Sequence, residues 1–575
     1  MDATRLDPVV VDLVRQAAAS DRYGDYLRNT LMDLLAINTA PTADLRATAA
    51  REGELFERIA RAVVELVGSA ATIERVSMNP AIANDPSYSL PGYAEDATGR
   101  VPPLEEVYAG RANLVVTLAG SGSAAEAGAE PRPGVILNAH ADVVPPWFPP
   151  RSAGHRVYGR GACDAKAQIA LLLAQMKLLG EVDERLGRKA ARARVCQFVI
   201  DEAIGGNGSL SLVSEPRYAG VPVLMHECTD LIPHCAHPGV LWYRCRLSAG
   251  PGKATSAVEL FPFVVLELEA EGRRLQDETR HPLFTRDHVQ TNHGILGPYG
   301  NGPGTVCDHV AIEVLARASA NPERIAMKMI EFMDDTLAQY VRAYGDKTRQ
   351  PDPATGQPML NRHFDVRALP RPDLVGFRID FWGRGGSVSP AADCDNAITK
   401  AAYLLVALLR VAGGFPGVQA TGRLADDPGD GREIVLEGSQ CFTPTHTMSD
   451  IQTRLAAAAK RGARQYCKVR GRPYDEGMVE MTFRRLHSDA YADSPDVAPM
   501  QALRAAFDAL GQPWPEPGAW ETSCDARIYH HKGHQVAIFG AGQLHAAHSP
   551  EEYVDIPEVQ KALAISTLAT WLMIQ

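Results

Sequence analysis

Apolar residues recur at helical spacing between residues 8 and 36 (Val9, Leu13, Leu27, Leu31, Leu34, Leu35), which predicts helix there and again over Glu52 to Leu66. The period then shortens. Leu114 to Leu118 is an apolar run of strand length, and Gly134 to Ala139 reads as a buried strand delivering His140 and Asp142 to its C-terminal edge. Val157 to Gly161 is a turn into an apolar helix, Ala165 to Leu179, with Asp164 at its N-terminus. Two stretches interrupt the pattern: a Pro-rich insertion from Asn79 to Pro103, and a Gly, Ala, Ser, Glu and Pro loop from Ala119 to Pro133. Strands and helices alternate to about Val240, the signature of an α/β domain with a mostly parallel sheet. Such sheets place their ligand sites at the C-terminal ends of strands.

From Leu241 the pattern changes. A strand at Leu241 to Leu247 passes through Gly250-Pro251-Gly252 into a helix at Ala257 to Leu275. A second strand, Gly376 to Trp382, passes through Gly383-Arg384-Gly385-Gly386 into a helix at Asn396 to Val411. Further helices are predicted at Pro322 to Tyr344 and Thr447 to Tyr466, one for each unit, so the middle reads as a duplicated βαββαβ-like arrangement. The α/β character returns near His487, with a helix at Val497 to Leu510, a strand at Gln535 to Phe539 and a closing helix from Pro557 to Met573. The predicted organisation is therefore a domain made of residues 1–240 and 487–575, interrupted by an inserted α+β domain, 241–486, with subunits near 241–350 and 371–486.

A chain of 575 residues exceeds what one core supports, in keeping with that division. A net charge of −11 argues against a nucleic-acid partner, which calls for a basic face. The 10 cysteines are scattered singly with no C-x-x-C pair, so no disulfide framework is expected, and a reducing compartment is favoured. The N-terminus lacks a basic-then-apolar leader, and no run reaches the roughly 18 apolar residues of a membrane span. A cytoplasmic protein acting on a small molecule, with no membrane partner, is the expectation.

Six positions carry the candidate chemistry: His140, Asp142, Asp164, the pair Asp201-Glu202, Glu227 and His548. Each follows an apolar strand or sits in a Gly-rich turn or loop. Imidazole and carboxylate are the ligands of a hydrolytic metal site, and a further carboxylate is needed to take a proton from water. Gly383 to Gly386 is not a phosphate loop, because no Lys-Ser/Thr follows at the required spacing, and Gly205-Gly206-Asn207-Gly208 has no dinucleotide fingerprint around it.

Several segments together resemble the M20 metallopeptidases, the group of glutamate carboxypeptidase, aminoacylase and succinyl-diaminopimelate desuccinylase. They are Asn138 to Pro145, Tyr158 to Lys166, Asp201 to Ser209, His226 to Thr229, Thr522 to Arg527, Phe539 to Gly542 and Ala547 to Glu552. The resemblance implies a zinc-peptidase-like catalytic domain with a mixed, mostly parallel sheet and an inserted lid. It implies one metal, zinc, held by His140, Asp164 and Glu227, with Asp164 bridging to a second metal that His548 also binds. Asp142 would orient His140, and Glu202 stands in the place of the general base.

Two departures qualify that reading. Ala203 stands where the family has a glutamate ligand of the second metal; a methyl group cannot coordinate. Either that metal is absent or weak, or Glu202 is recruited as a ligand and Asp201 or a water serves as base. Thr255 and Ser387 stand where relatives carry a lid histidine, for which His288, His293, His309 or His363 are the candidate substitutes. Asn292, in the turn that resembles the lid's substrate-facing loop, together with Arg378, Arg384 and Arg527, are the candidate substrate contacts, a guanidinium being suited to a carboxylate. The doubled middle resembles the branch with a duplicated lid, which implies a monomer; a single lid implies a homodimer. The expected reaction is hydrolysis of an amide or peptide-like bond in an N-acyl amino acid, dipeptide or related carboxylate. The alternatives are acyl transfer, condensation or cyclisation at a one-metal site, or an inactive ligand-binding relative.

Overall fold

A computed structural model describes residues 6–96, 99–124, 132–249, 256–317, 321–352, 356–370, 374–387, 394–411, 421–429 and 431–575. The chain separates into two units, Met1–Gly239 with Arg485–Gln575, and Val240–Arg484.

In the first unit a mixed sheet runs in the order Ala71–Ser77, Ala112–Leu118, Arg194–Val199, Val135–His140, Val223–Met225, Val536–Ile538, His234–His237 and Tyr491–Ala492. Its centre is parallel: Val135–His140 pairs in parallel with Arg194–Val199 and Val223–Met225, which pairs in parallel with Val536–Ile538. These strands are buried along their whole length, as their continuous apolar runs require. Helix Lys166–Leu186 is buried almost all round, packed among Asp21–Leu35, Leu45–Val67 and Ile556–Ile574. The predicted single helical stretch over residues 8–36 is two helices, because Ser20 caps a new one by accepting from the Tyr23 amide. This is the mixed α/β fold expected from the alternation of strands and helices.

Within Val240–Arg484 the strands form two sheets of like design. One places Thr291–Leu296, Glu433–Phe442, Gly239–Ser248 and Val479–Thr482 side by side, and the other Phe364–Pro370, Leu374–Trp382, His309–Arg317 and Thr421–Leu424. In both, the spatial order is second, third, first and fourth strand of the set, and each set has the chain order βαββαβ. Helices Ala257–Glu278 and Met448–Arg470 belong to the first set, Pro322–Tyr344 and Ala397–Val411 to the second. The division into consecutive subunits 241–350 and 371–486 is therefore corrected: the second set, residues 309–424, is nested between the second and third strands of the first. Strand pairing is the physical reason. Thr291–Leu296 finds its antiparallel partner in Glu433–Phe442, far along the chain, whereas His309–Arg317 pairs with Leu374–Trp382. Among the described residues no helix is long and apolar enough to cross a membrane.

Candidate metal centre

Sheet register brings the first two candidate ligands together. Asn138 lies opposite Met225 in the parallel ladder, so His140 and Glu227, each two residues further on, leave the sheet at one level. His140 is opposite Val199, after which the neighbouring strand turns into Asp201 and Glu202. Asp164 arrives from the turn ahead of helix Lys166–Leu186. His140, Asp164 and Glu227 each offer one ligand atom, and these atoms all lie within 4.8 Å of one another. His140 Nε2 stands 2.9 Å from Asp164 Oδ1, 3.9 Å from Glu227 Oε2 and 4.0 Å from Glu202 Oε2.

Three carboxylates, from Asp164, Glu202 and Glu227, crowd one buried imidazole in this cluster. Burial, reinforced by their acidic neighbours, pushes the Glu202 and Glu227 carboxyls well above the ordinary range against the pull of His140. Burial also acts on Asp164, but hydrogen bonds and charge from His140 and His548 outweigh it and hold that carboxyl far below its usual value. Glu227 Oε1 is buried with no hydrogen-bond partner. A buried carboxylate oxygen left unpaired is costly, and a divalent cation would relieve both that cost and the mutual repulsion. One imidazole with carboxylates is a donor set suited to zinc. On these grounds the residues present fit a divalent metal.

Two surrounding networks set the geometry. His140 Nδ1 lies 2.9 Å from the Asp142 carbonyl oxygen and 3.6 Å from its carboxylate. The carboxylate itself accepts from the amides of Glu202, at 3.1 Å, and Ala203, at 3.0 Å. Asp142 thus fastens the His140 ring through its backbone and the Glu202 turn through its side chain, the second of which was not foreseen. Asp201 is fully buried at φ +60, accepting from Arg111 at 2.6 Å, Tyr108 at 2.8 Å and Tyr93 at 3.0 Å, while Arg111 also pairs with Glu52 at 2.6 Å. A carboxylate so enclosed is not available to activate water. The Glu202 side chain keeps 15% of its surface exposed against 2% for Glu227.

His548, also at φ +60, places Nε2 at 2.8 Å from Asp164 Oδ2, with 42% of the side chain exposed. His140 meets the other oxygen of Asp164, Oδ1. Ala203 contributes only its amide, to Asp142.

The remaining candidates are dispersed. Arg527 is buried in the same unit, donating to the Gly205 carbonyl at 2.7 Å, with Nε and Nη1 unpartnered. Burial depresses its basicity against the charge of Asp525, whose own carboxyl burial raises to about 6. In Val240–Arg484, Asn292 is buried and donates to the Pro303 and Thr305 carbonyls while accepting from Asn396. Arg378 binds Asp426 and Asp380, and Arg384 binds Asp352 at 2.7 Å. Of the candidate substitute histidines, His293 is buried between Tyr243 and Glu269, His309 pairs with Asp380, His363 with Asp346, and His288 caps a turn with Thr285. Asn292, Arg378 and Arg384 are thus each engaged by bonds within their own unit. Thr255 lies outside the described residues, as does the Ser387 side chain.

Residues 136–570, more than half of the 575, match the family described as Peptidase family M20/M25/M40, and the chain belongs to that family. A protein of Aspergillus clavatus named "Probable carboxypeptidase" is 30% identical over 275 residues. That match takes in 43% of this chain and 55% of the relative, so the chain spans about half of that relative's length. Among solved structures, human carnosine dipeptidase 1 is similar with a TM-score of 0.52 at 12% identity, covering 98% of this chain and 99% of that one. The di-peptidase Dug1p of Saccharomyces cerevisiae gives 0.51 at 10% identity, covering 98% of both chains. At these identities the structural likeness concerns the fold.

Proposed function

We propose that this member of the M20/M25/M40 peptidases is a zinc-dependent hydrolase of an amide or peptide bond in a small carboxylate-bearing substrate, an N-acyl amino acid or a dipeptide. The observation that carries the reading is the convergence of His140, Asp164 and Glu227 within 4.8 Å around an unpartnered buried carboxylate oxygen of Glu227. Those three residues would hold one cation. His548 and the outer oxygen of Asp164 would offer a second position, expected to be weak because Ala203 brings no donor. The name of the Aspergillus relative points the same way.

A divalent cation bound there supplies Lewis acidity, polarising the scissile carbonyl and easing deprotonation of water. The protein does the rest. Asp142 fixes the His140 ring and the Glu202 turn, so that ligand and base keep a constant separation. Glu202 takes a proton from the attacking water as the O–C bond forms and returns it to the amide nitrogen as the C–N bond breaks, leaving an acid and an amine. Arg527 is the candidate partner for the substrate carboxylate, on the strength of its two unpartnered nitrogens. The two nested βαββαβ sets support the duplicated-lid branch of the family, and with it a monomer.

The test is amino-acid release from a panel of N-acyl amino acids and dipeptides, before and after chelation, by the native chain and by Glu202→Gln. Zinc-restorable release is expected, with Glu202→Gln slower by roughly 10²–10⁴-fold yet still holding its metal. Turnover that survives chelation, or transfer of the acyl group to an added amine in place of water, would overturn the reading.

A further inference from the structure

Three loops meet beside the metal centre at one buried ion pair. Glu552 is fully buried and Arg160 nearly so, joined at 2.6 Å between Nη1 and Oε2. The other Glu552 oxygen, Oε1, accepts from three backbone amides of a single turn: Gly161 at 3.0 Å, Cys163 at 3.0 Å and Asp164 at 3.1 Å. Amides converging in this way form a concavity that binds an anion, and here the anion is a side chain of the protein. Gly161 at φ +92 permits the turn, since a Cβ there would meet the Val143 side chain at 2.7 Å.

Arg160 extends the same tie in two directions. Its Nη2 donates to the His548 carbonyl at 3.2 Å, and its Nε donates to the Pro146 carbonyl, also at 3.2 Å, in the segment that follows Asp142. His548, like Asp201, sits at φ +60, a conformation that costs of order 1–3 kcal/mol and persists only where its surroundings enforce it. The guanidinium bond to its own carbonyl is one such restraint. Stability alone is a weak reason for an ion pair in this place, because apolar residues of like volume are often as stabilising as a buried pair. Its distinctive property is connectivity: one pair spans the loops carrying Asp142, Asp164 and His548.

We propose that Arg160 and Glu552 are positioning residues that hold Asp164 and His548 in register, and that they thereby set how tightly the centre binds its cation. This rests on the metal-centre reading given above. Neither side chain is a ligand; they act through the turn whose amides Glu552 gathers and the carbonyl Arg160 holds. Loss of such supporting groups typically costs 10–100-fold in metal affinity.

The experiment is titration of Zn²⁺ into metal-free full-length protein, against a chromophoric chelator, for the native chain, Glu552→Gln and Arg160→Lys, with a thermal melt of each metal-free protein. Glu552→Gln is expected to bind about 10–100-fold more weakly, and Arg160→Lys to lose affinity in the same direction by less. A lowered melting temperature with unchanged affinity in the variants would mean a structural role only and would overturn the proposal, leaving the metal centre standing. Should Glu552→Gln not fold, Arg160→Lys decides by the same criterion. A native chain that takes up no Zn²⁺ would overturn the metal-centre reading and this proposal with it.

Discussion

Polar residues in the two units are put to different uses. In the first, side chains from segments far apart in sequence converge on His140, and one buried oxygen of Glu227 is left without a partner. In Val240–Arg484 the candidate substrate contacts are spent on internal bonds, Arg378 on Asp426 and Asp380, Asn292 on the Pro303 and Thr305 carbonyls. The contrast is between a buried carboxylate oxygen with no partner and side chains engaged within their own unit.

One substitution made in both units probes that contrast. Arg111→Met removes the cation shared by the buried carboxylates of Glu52 and Asp201, and the expected loss is about 3–5 kcal/mol in a denaturant melt, with slower turnover because Asp201 adjoins Glu202. Arg378→Met breaks ion pairs at a partly exposed position, and the expected loss is about 0.2–1 kcal/mol, with kcat and KM nearly unchanged. Equal losses at the two positions would erase the distinction. A large rise in KM for Arg378→Met would return that arginine to the substrate site.

Legibility in the sequence followed the same division. Strand-end positions of a parallel sheet announce themselves, since an apolar run followed by His140 or Glu227 leaves little choice about where the side chain emerges. Glu202 was legible through its Gly-rich turn, and Ala203 as a departure from a pattern. The supporting networks were not. Arg111 sits 90 residues from Asp201 and Arg160 sits 392 from Glu552, and a pairing at such separation leaves no local period to read. The nesting of the second βαββαβ set was hidden for a related reason. Hydrophobic spacing reports that a segment is a strand but not which strand it pairs with, so Thr291–Leu296 gave no sign that its partner lay at Glu433–Phe442. In Val240–Arg484 a surface arginine and a substrate arginine look alike until their carboxylate neighbours are placed.

The central claim is a cation held by His140, Asp164 and Glu227 beside a second position impoverished by Ala203. Metal content per chain, measured on the native protein after exhaustive dialysis against a weak chelator, tests it most directly. One retained zinc per chain is the predicted result; two, or none, would contradict it.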